Sequence, residues 1–156
     1  MSPIAKVLRT DESNFSDLVA LRYQWRTVEL GEVGLSPPEF EARFREWYVD
    51  HRESHLGYLA SVGDVKVGGA WLVIVDRVPG PGSFVRRAGM VQSVYVLPEH
   101  RNRGVGSDLM DTLSSEARSM GLDYLIVHPS IESFPFYRRL GFAAADKALE
   151  LRFELT

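Results

Sequence analysis

The chain has 156 residues, 45% hydrophobic and 25% charged, which fits a single globular domain over residues 1–156 with a core that needs no covalent staple. Lys plus Arg is 18 against 21 Asp plus Glu, a net charge of −3 that argues against a polyanion binder, so no nucleic-acid partner is expected. The absence of cysteine excludes disulfides, thiolate nucleophiles and cysteine-held metals, and the lack of an apolar leader or of a run near the ~18 residues of a membrane span makes a cytoplasmic protein, with no membrane partner, the expectation.

Residues 3–9 read as a short strand. From Asn14 to about Leu30, Phe15, Leu18, Val19, Arg22 and Trp25 follow a 3.6-residue stripe, and Ser13 or Asn14 stands ready to cap it. Gly31 and Gly34 break that helix. Ser36-Pro37-Pro38-Glu39 opens a second one, with Ser36 as N-cap, proline at the first helical position and Glu39 closing a capping box. Phe40, Phe44, Trp47 and Tyr48 form its apolar face. Leu56–Val62 and Val65–Asp76 read as strands joined by a tight turn at Gly63-Asp64. After a Pro/Gly loop, a further strand runs from about Phe84 to Leu97 and ends at Pro98. Gly104 to Met120 is helical, with Val105, Leu109, Leu113 and Ala117 on one face and Gly121 as C-cap. Tyr124–Val127 is a short strand, Ser133–Leu140 a short helix closed by Gly141, and Ala148–Leu155 alternates as a last strand. The order predicts an α/β fold: a mixed, mostly antiparallel twisted sheet with a central β-α-β crossover and flanking helices.

The junction from Val94 to Ser107 carries the most chemistry. A buried strand runs through a Gly-rich turn straight into a helix, where the first amides have no intrahelical acceptor and the helix dipole adds positive potential. Gly104 and Gly106 remove side chains, and Arg101 and Arg103 add charge, so the turn fits a diphosphate. Such a junction also uses glycine merely to turn, and G-x-G alone is weak. The G-x-x-x-x-G-K-[ST] loop is absent. The dinucleotide fingerprint fails too, because Leu109 replaces its third glycine and His128 follows the next strand where an acid belongs.

Arg101-Asn102-Arg103-Gly104-Val105-Gly106 resembles the [QR]-x-x-G-x-[GA] motif of the GNAT superfamily of acyl-CoA-dependent N-acyltransferases. Val94-Tyr95-Val96-Leu97-Pro98 resembles the strand end before that motif, and Phe136-Tyr137-Arg138-Arg139-Leu140-Gly141-Phe142 resembles the family's [LF]-Y-x-x-x-G-F. The likeness covers about residues 90–142. It implies acetyl-CoA as co-substrate, with no metal. The strand residues Val94, Tyr95 and Val96 would pair with the pantetheine arm, the N–H of Val94 would face the developing oxyanion, and the amides of Arg101, Asn102, Arg103, Gly104, Val105, Gly106 and Ser107 would hold the diphosphate. Tyr137 takes the place of the general acid that protonates the departing sulfur. Ser130 replaces the usual Asn and would either touch pantetheine or, with Ser133, cap the helix.

A lysine-like amine is neutral in only about one molecule in 2,500 at pH 7, so direct attack needs a base or a dry pocket. The family's strand glutamate falls at Met90, which takes no proton, and Gln92 takes none either. His128, Glu29 or Glu32, or an ordered water is left to do so. His51 and His55, four apart, read as a solvated helix end rather than a zinc pair. The segment from about Arg22 to His55 is the expected acceptor wall, and it holds both signs of charge. The expected function is acetyl transfer to a primary amine of a small molecule or peptide; the oligomeric state is not readable from the sequence, and the last strand leaves a homodimer open. The alternatives are a non-catalytic acyl-CoA-binding module and a structural interaction domain.

Overall fold

The computed structural model describes residues 3–145 and 148–154. Among these, β1 (Lys6–Arg9), α1 (Phe15–Gln24), a π-helical turn (Trp25–Glu29), α2 (Pro37–His51), β2 (His55–Val62), β3 (Val65–Asp76), β4 (Arg87–Val96), α3 (Val105–Ser119), β5 (Leu125–Val127) and α4 (Phe134–Arg139) follow in chain order. The strands lie in the order β1-β2-β3-β4-β5. The first three neighbouring pairs are antiparallel and β4–β5 is parallel, with α3 as the crossover. No helix among the described residues is long and apolar enough to cross a membrane.

The helices divide between the two faces of the sheet. On one face Phe15, Leu18, Val19 and Leu21 of α1 bury themselves with Leu59, Trp71 and Tyr95, and Phe40, Phe44 and Tyr48 of α2 pack against them. On the other, Val105, Leu109, Met110, Leu113 and Ala117 of α3 cover Tyr58, Ala60, Val67, Ala70, Leu72 and Val91, joined by Tyr137 of α4. Each leucine-sized side chain so buried contributes about 1.5–3 kcal/mol. The capping box forms at Ser36, whose amide donates to Glu39 Oε2 at 3.0 Å. The β2–β3 turn forms with Gly63 at φ +57°.

Three sequence readings change. The first helix does not stay α-helical to Leu30 but widens into the π turn, and Asn14 spends its side-chain oxygen on the amide of Asp11 (2.8 Å) rather than on a helix amide. Arg86 and the residues before it stay outside β4. The last strand is absent over residues 148–154, and Leu155 lies outside the described residues. Leu149, Leu151 and Phe153 alternate as a strand would but stand exposed, because alternation makes a strand only where an edge accepts its backbone.

Two irregularities of β4 position the site. Gly69 pairs with Tyr95 and Trp71 with Gln92, so Ala70 faces both Ser93 and Val94, and Ser93 takes φ +56° in the resulting bulge. Pairing with β5 covers only Gly89–Val91, after which the two parallel strands part.

Candidate active site

The candidate donor half is built from β4, the turn and α3. Leu97 N donates to Val67 O at 2.8 Å, so by the alternation of backbone directions Val94 and Val96 aim their N–H and C=O groups away from β3, into the gap beside β5. Tyr95 points the other way, is buried, and stacks on Trp25 with ring centres 5.7 Å apart. The Arg101 amide donates to Pro98 O at 3.3 Å. Its guanidinium donates to Val96 O at 2.8 Å and holds Glu29 through two bonds of 2.8 and 3.0 Å. The Arg101 charge therefore ties the π turn to the end of β4 instead of standing free beside the turn.

Asn102 (φ +60°) and Gly104 (φ +95°) are both left-handed and swing the chain into α3. Asp108 N, on Gly104 O at 3.0 Å, is the first amide after Arg101 to find an acceptor among the described residues, which leaves the N–H groups of Asn102, Arg103, Gly104, Val105, Gly106 and Ser107 available. Val105 anchors the turn in the core. A Cβ on Gly106 would lie 3.2 Å from the Phe136 ring, so glycine is what lets α4 close over the first turn of α3.

Tyr137 is buried in α4 between Phe136 and Phe142, at ring-centre distances of 4.9 and 5.5 Å. Burial pushes its phenol pKa up, which keeps the proton on at neutral pH. It lines a cavity of about 540 Å³ with Val127 and with His128, which is exposed at the end of β5. Ser130 heads the turn before α4 through its carbonyl, which accepts Ser133 N at 3.0 Å. Its hydroxyl meets the Ser133 hydroxyl at 2.9 Å and neither caps a helix amide, contrary to the capping expected.

The candidate acceptor half lies on the opposite face of the sheet. Arg22 from α1, Phe40, Phe44 and Trp47 from α2, His55, Trp71 from β3, and Gln92 and Ser93 from β4 enclose a pocket of about 300 Å³. Arg22 donates to Ser93 Oγ at 2.6 Å, which fixes the bulge from above. Burial lowers the Arg22 pKa from its ordinary value without threatening its charge. Glu29 and Glu32 are absent from this lining. The first is held by Arg101 and the second by Arg26. Gln92 leans on Met90, Nε2 to Sδ 3.2 Å.

His55 departs from its sequence reading. The helix stops at His51, the chain turns through Arg52–Ser54, and His55 opens β2 opposite Val73, on the wall of the pocket. Its ring packs edge-on to Trp47 at 4.9 Å, and burial followed by the nearby His51 lowers its pKa. The four-residue spacing suggested one helical face. Only the strand register from position 55 onward, which nothing nearby in sequence announces, puts the imidazole here.

The acetyltransferase (GNAT) family model matches residues 20–142. The glucosamine 6-phosphate N-acetyltransferase of Trypanosoma brucei brucei is 35% identical over 85 residues, 54% of this chain and 56% of that protein, so the match spans little more than half of the relative. Glucosamine 6-phosphate N-acetyltransferase 1 of Oryza sativa subsp. japonica is 28% identical over 131 residues, covering 80% of this chain and 76% of the relative. Among solved structures, a Trypanosoma brucei acetyltransferase superposes with a TM-score of 0.72 at 23% identity, covering 96% of this chain and 99% of that one. A predicted acetyltransferase from Clostridium acetobutylicum, solved with acetyl-CoA, gives 0.73 at 21%, covering 95% and 96%. The family model covers well over half of the chain, and the chain belongs to the acetyltransferase (GNAT) family.

Proposed function

We propose that the chain moves an acetyl group from acetyl-CoA to the primary amine of a small molecule by direct attack. One observation carries this reading: the main-chain groups of Val94 and the N–H of Val96 face the β4–β5 gap, Val96 O being taken by Arg101, and beyond the turn the amides of Asn102–Ser107 have no acceptor among the described residues. A pantetheine arm offers amides for the first stretch, and a diphosphate suits the second. The residues present fit the donor, since Gly104 and Gly106 place no side chain over those amides. When bound, the thioester supplies an acyl carbon open to attack. Val94 N–H then faces the oxygen on which charge develops, and Tyr137 gives its proton to the sulfur. His128 lines the same cavity as Tyr137 and is exposed, which suits it to pass protons between that phenol and solvent.

The acceptor pocket, about 300 Å³, suits a compact molecule rather than a protein surface. Its lining has the Arg22 cation and no carboxylate, which favours an amine that also bears an anionic group and disfavours a polycation. Two relatives named for glucosamine 6-phosphate support a small phosphorylated amino sugar as the first amine to try.

The test pairs thermal stabilisation by acetyl-CoA with thiol release across a panel of small primary amines. Stabilisation with amine-dependent release is expected. Stabilisation with no release by any amine would point to a non-catalytic binder, and neither effect to a structural domain.

A further inference from the structure

We propose that His55 takes the proton from the acceptor amine, in place of the acid missing from β4. The inference rests on the acetyl-transfer reading above.

The sheet register carries it. His55 pairs with Val73, and Val73 pairs with Met90, so the three side chains share one face of the sheet in one row. By the resemblance, Met90 falls where several family members carry a glutamate on this strand, and it has no basic atom. Two strands away on the same face, His55 does. The β2 and β4 backbones stand about 10 Å apart, and the imidazole from one side and Gln92 from the other narrow that gap across the pocket they both line.

Ser54 Oγ lies 3.2 Å from His51 O and 2.8 Å from His55 Nδ1. The His51 carbonyl also accepts the Ser54 amide at 3.0 Å, so the single hydroxyl proton goes either to that carbonyl or to Nδ1. In the first arrangement Ser54 Oγ accepts from His55 Nδ1–H and the Nε2 lone pair is the base; this is the tautomer the proposal uses. The charged groups facing the ring are few. From α2 comes His51, ring centres 5.4 Å apart, and from α1 comes Arg22 on the same pocket. β3 and β4 present Val73, Trp71, Met90 and Gln92, none of which ionises in the relevant range. Burial first and then the His51 cation hold the His55 pKa below its ordinary value, against a hydrogen bond to the His51 backbone that raises it, and this favours the neutral ring. The other sequence candidates are engaged or elsewhere: Glu29 and Glu32 pair with arginines, and His128 lines the cavity behind Tyr137.

The protons balance. One ammonium proton passes to His55 Nε2. The freed nitrogen bonds the acetyl carbon as the carbon–sulfur bond breaks. Sulfur leaves as a thiol with the Tyr137 proton, the second nitrogen proton restores the phenol through solvent, and His55 releases one proton to the medium.

The experiment is kcat/KM for the amine from pH 5 to 10 in wild type, H55Q, H51Q and H128A, with acetyl-CoA stabilisation measured on each. Wild type is expected to climb to a plateau through one ionisation below the ordinary histidine value, because only the neutral imidazole accepts. H55Q should lose that plateau and keep rising toward the amine's own pKa, slower by about 100-fold at pH 7 and converging on wild type at the alkaline end. H51Q should keep the plateau, and H128A should lower the rate across the profile without removing the plateau, because His128 serves the Tyr137 proton and not the amine's. In H55A, added imidazole should restore part of the rate, which a structural role would not permit. An H55Q profile that keeps the plateau overturns the proposal alone. Wild type that binds acetyl-CoA yet acetylates no amine overturns the function and the proposal with it.

Discussion

The donor half and the acceptor half share β4 but are assembled in different ways. The candidate donor half is nearly continuous in the chain: Val94 to Ser107 supplies strand edge, turn and helix start, with β5, His128 and Tyr137 added from farther on. The acceptor half gathers α1, α2, β2, β3 and β4 around one pocket. Main-chain groups dominate the first and side chains the second. A site made of backbone tolerates sequence change so long as the turn is kept, whereas a site made of side chains changes its guest with each substitution. The contrast predicts that variants in one half leave the other half's constant alone.

The largest effect expected is on chemistry rather than binding. Y137F should lower kcat about 100-fold while the KM for acetyl-CoA moves less than about threefold, measured by thiol release at saturating amine. An unchanged kcat would confine Tyr137 to packing. Next comes the turn. Gly104 sits at φ +95°, where a branched residue is strained by about 1–2 kcal/mol, so G104V should weaken acetyl-CoA about tenfold by calorimetry with amine KM unmoved. R22A should show the reverse pattern, a several-fold rise in amine KM with donor KM unmoved, since Arg22 charges the pocket and steadies Ser93. If R22A shifts donor KM instead, the two halves are coupled through the bulge. The smallest effect belongs to the contact between them. E29Q breaks a partly exposed pair with Arg101 and should cost about 0.5 kcal/mol in denaturant melts, with little change in either KM.

The same contrast sets what could be read before folding. The turn was legible because its parts are neighbours: Arg101, Gly104 and Gly106 fall within six residues, and their spacing is the structure. The capping box at Ser36 and the tight turn at Gly63 were legible for the same reason. The commitment of Arg101 to Glu29 was not, because it crosses 72 residues. His55 looked like the tail of a helix until the register of three strands turned it inward. The alternation at residues 148–154 was read correctly as a pattern and wrongly as a strand, since a strand is a property of two segments and a pattern belongs to one.

The bulge in β4 has a kinetic consequence. Ser93 turns its side chain to the amine pocket, while the next residue, Val94, turns its amide to the donor gap, so adjacent residues attend to different guests. On the proposed function, neither guest would have to leave before the other arrives. Initial-velocity plots should accordingly intersect rather than run parallel, and a single compound that tethers amine to coenzyme A should occupy both sites at once.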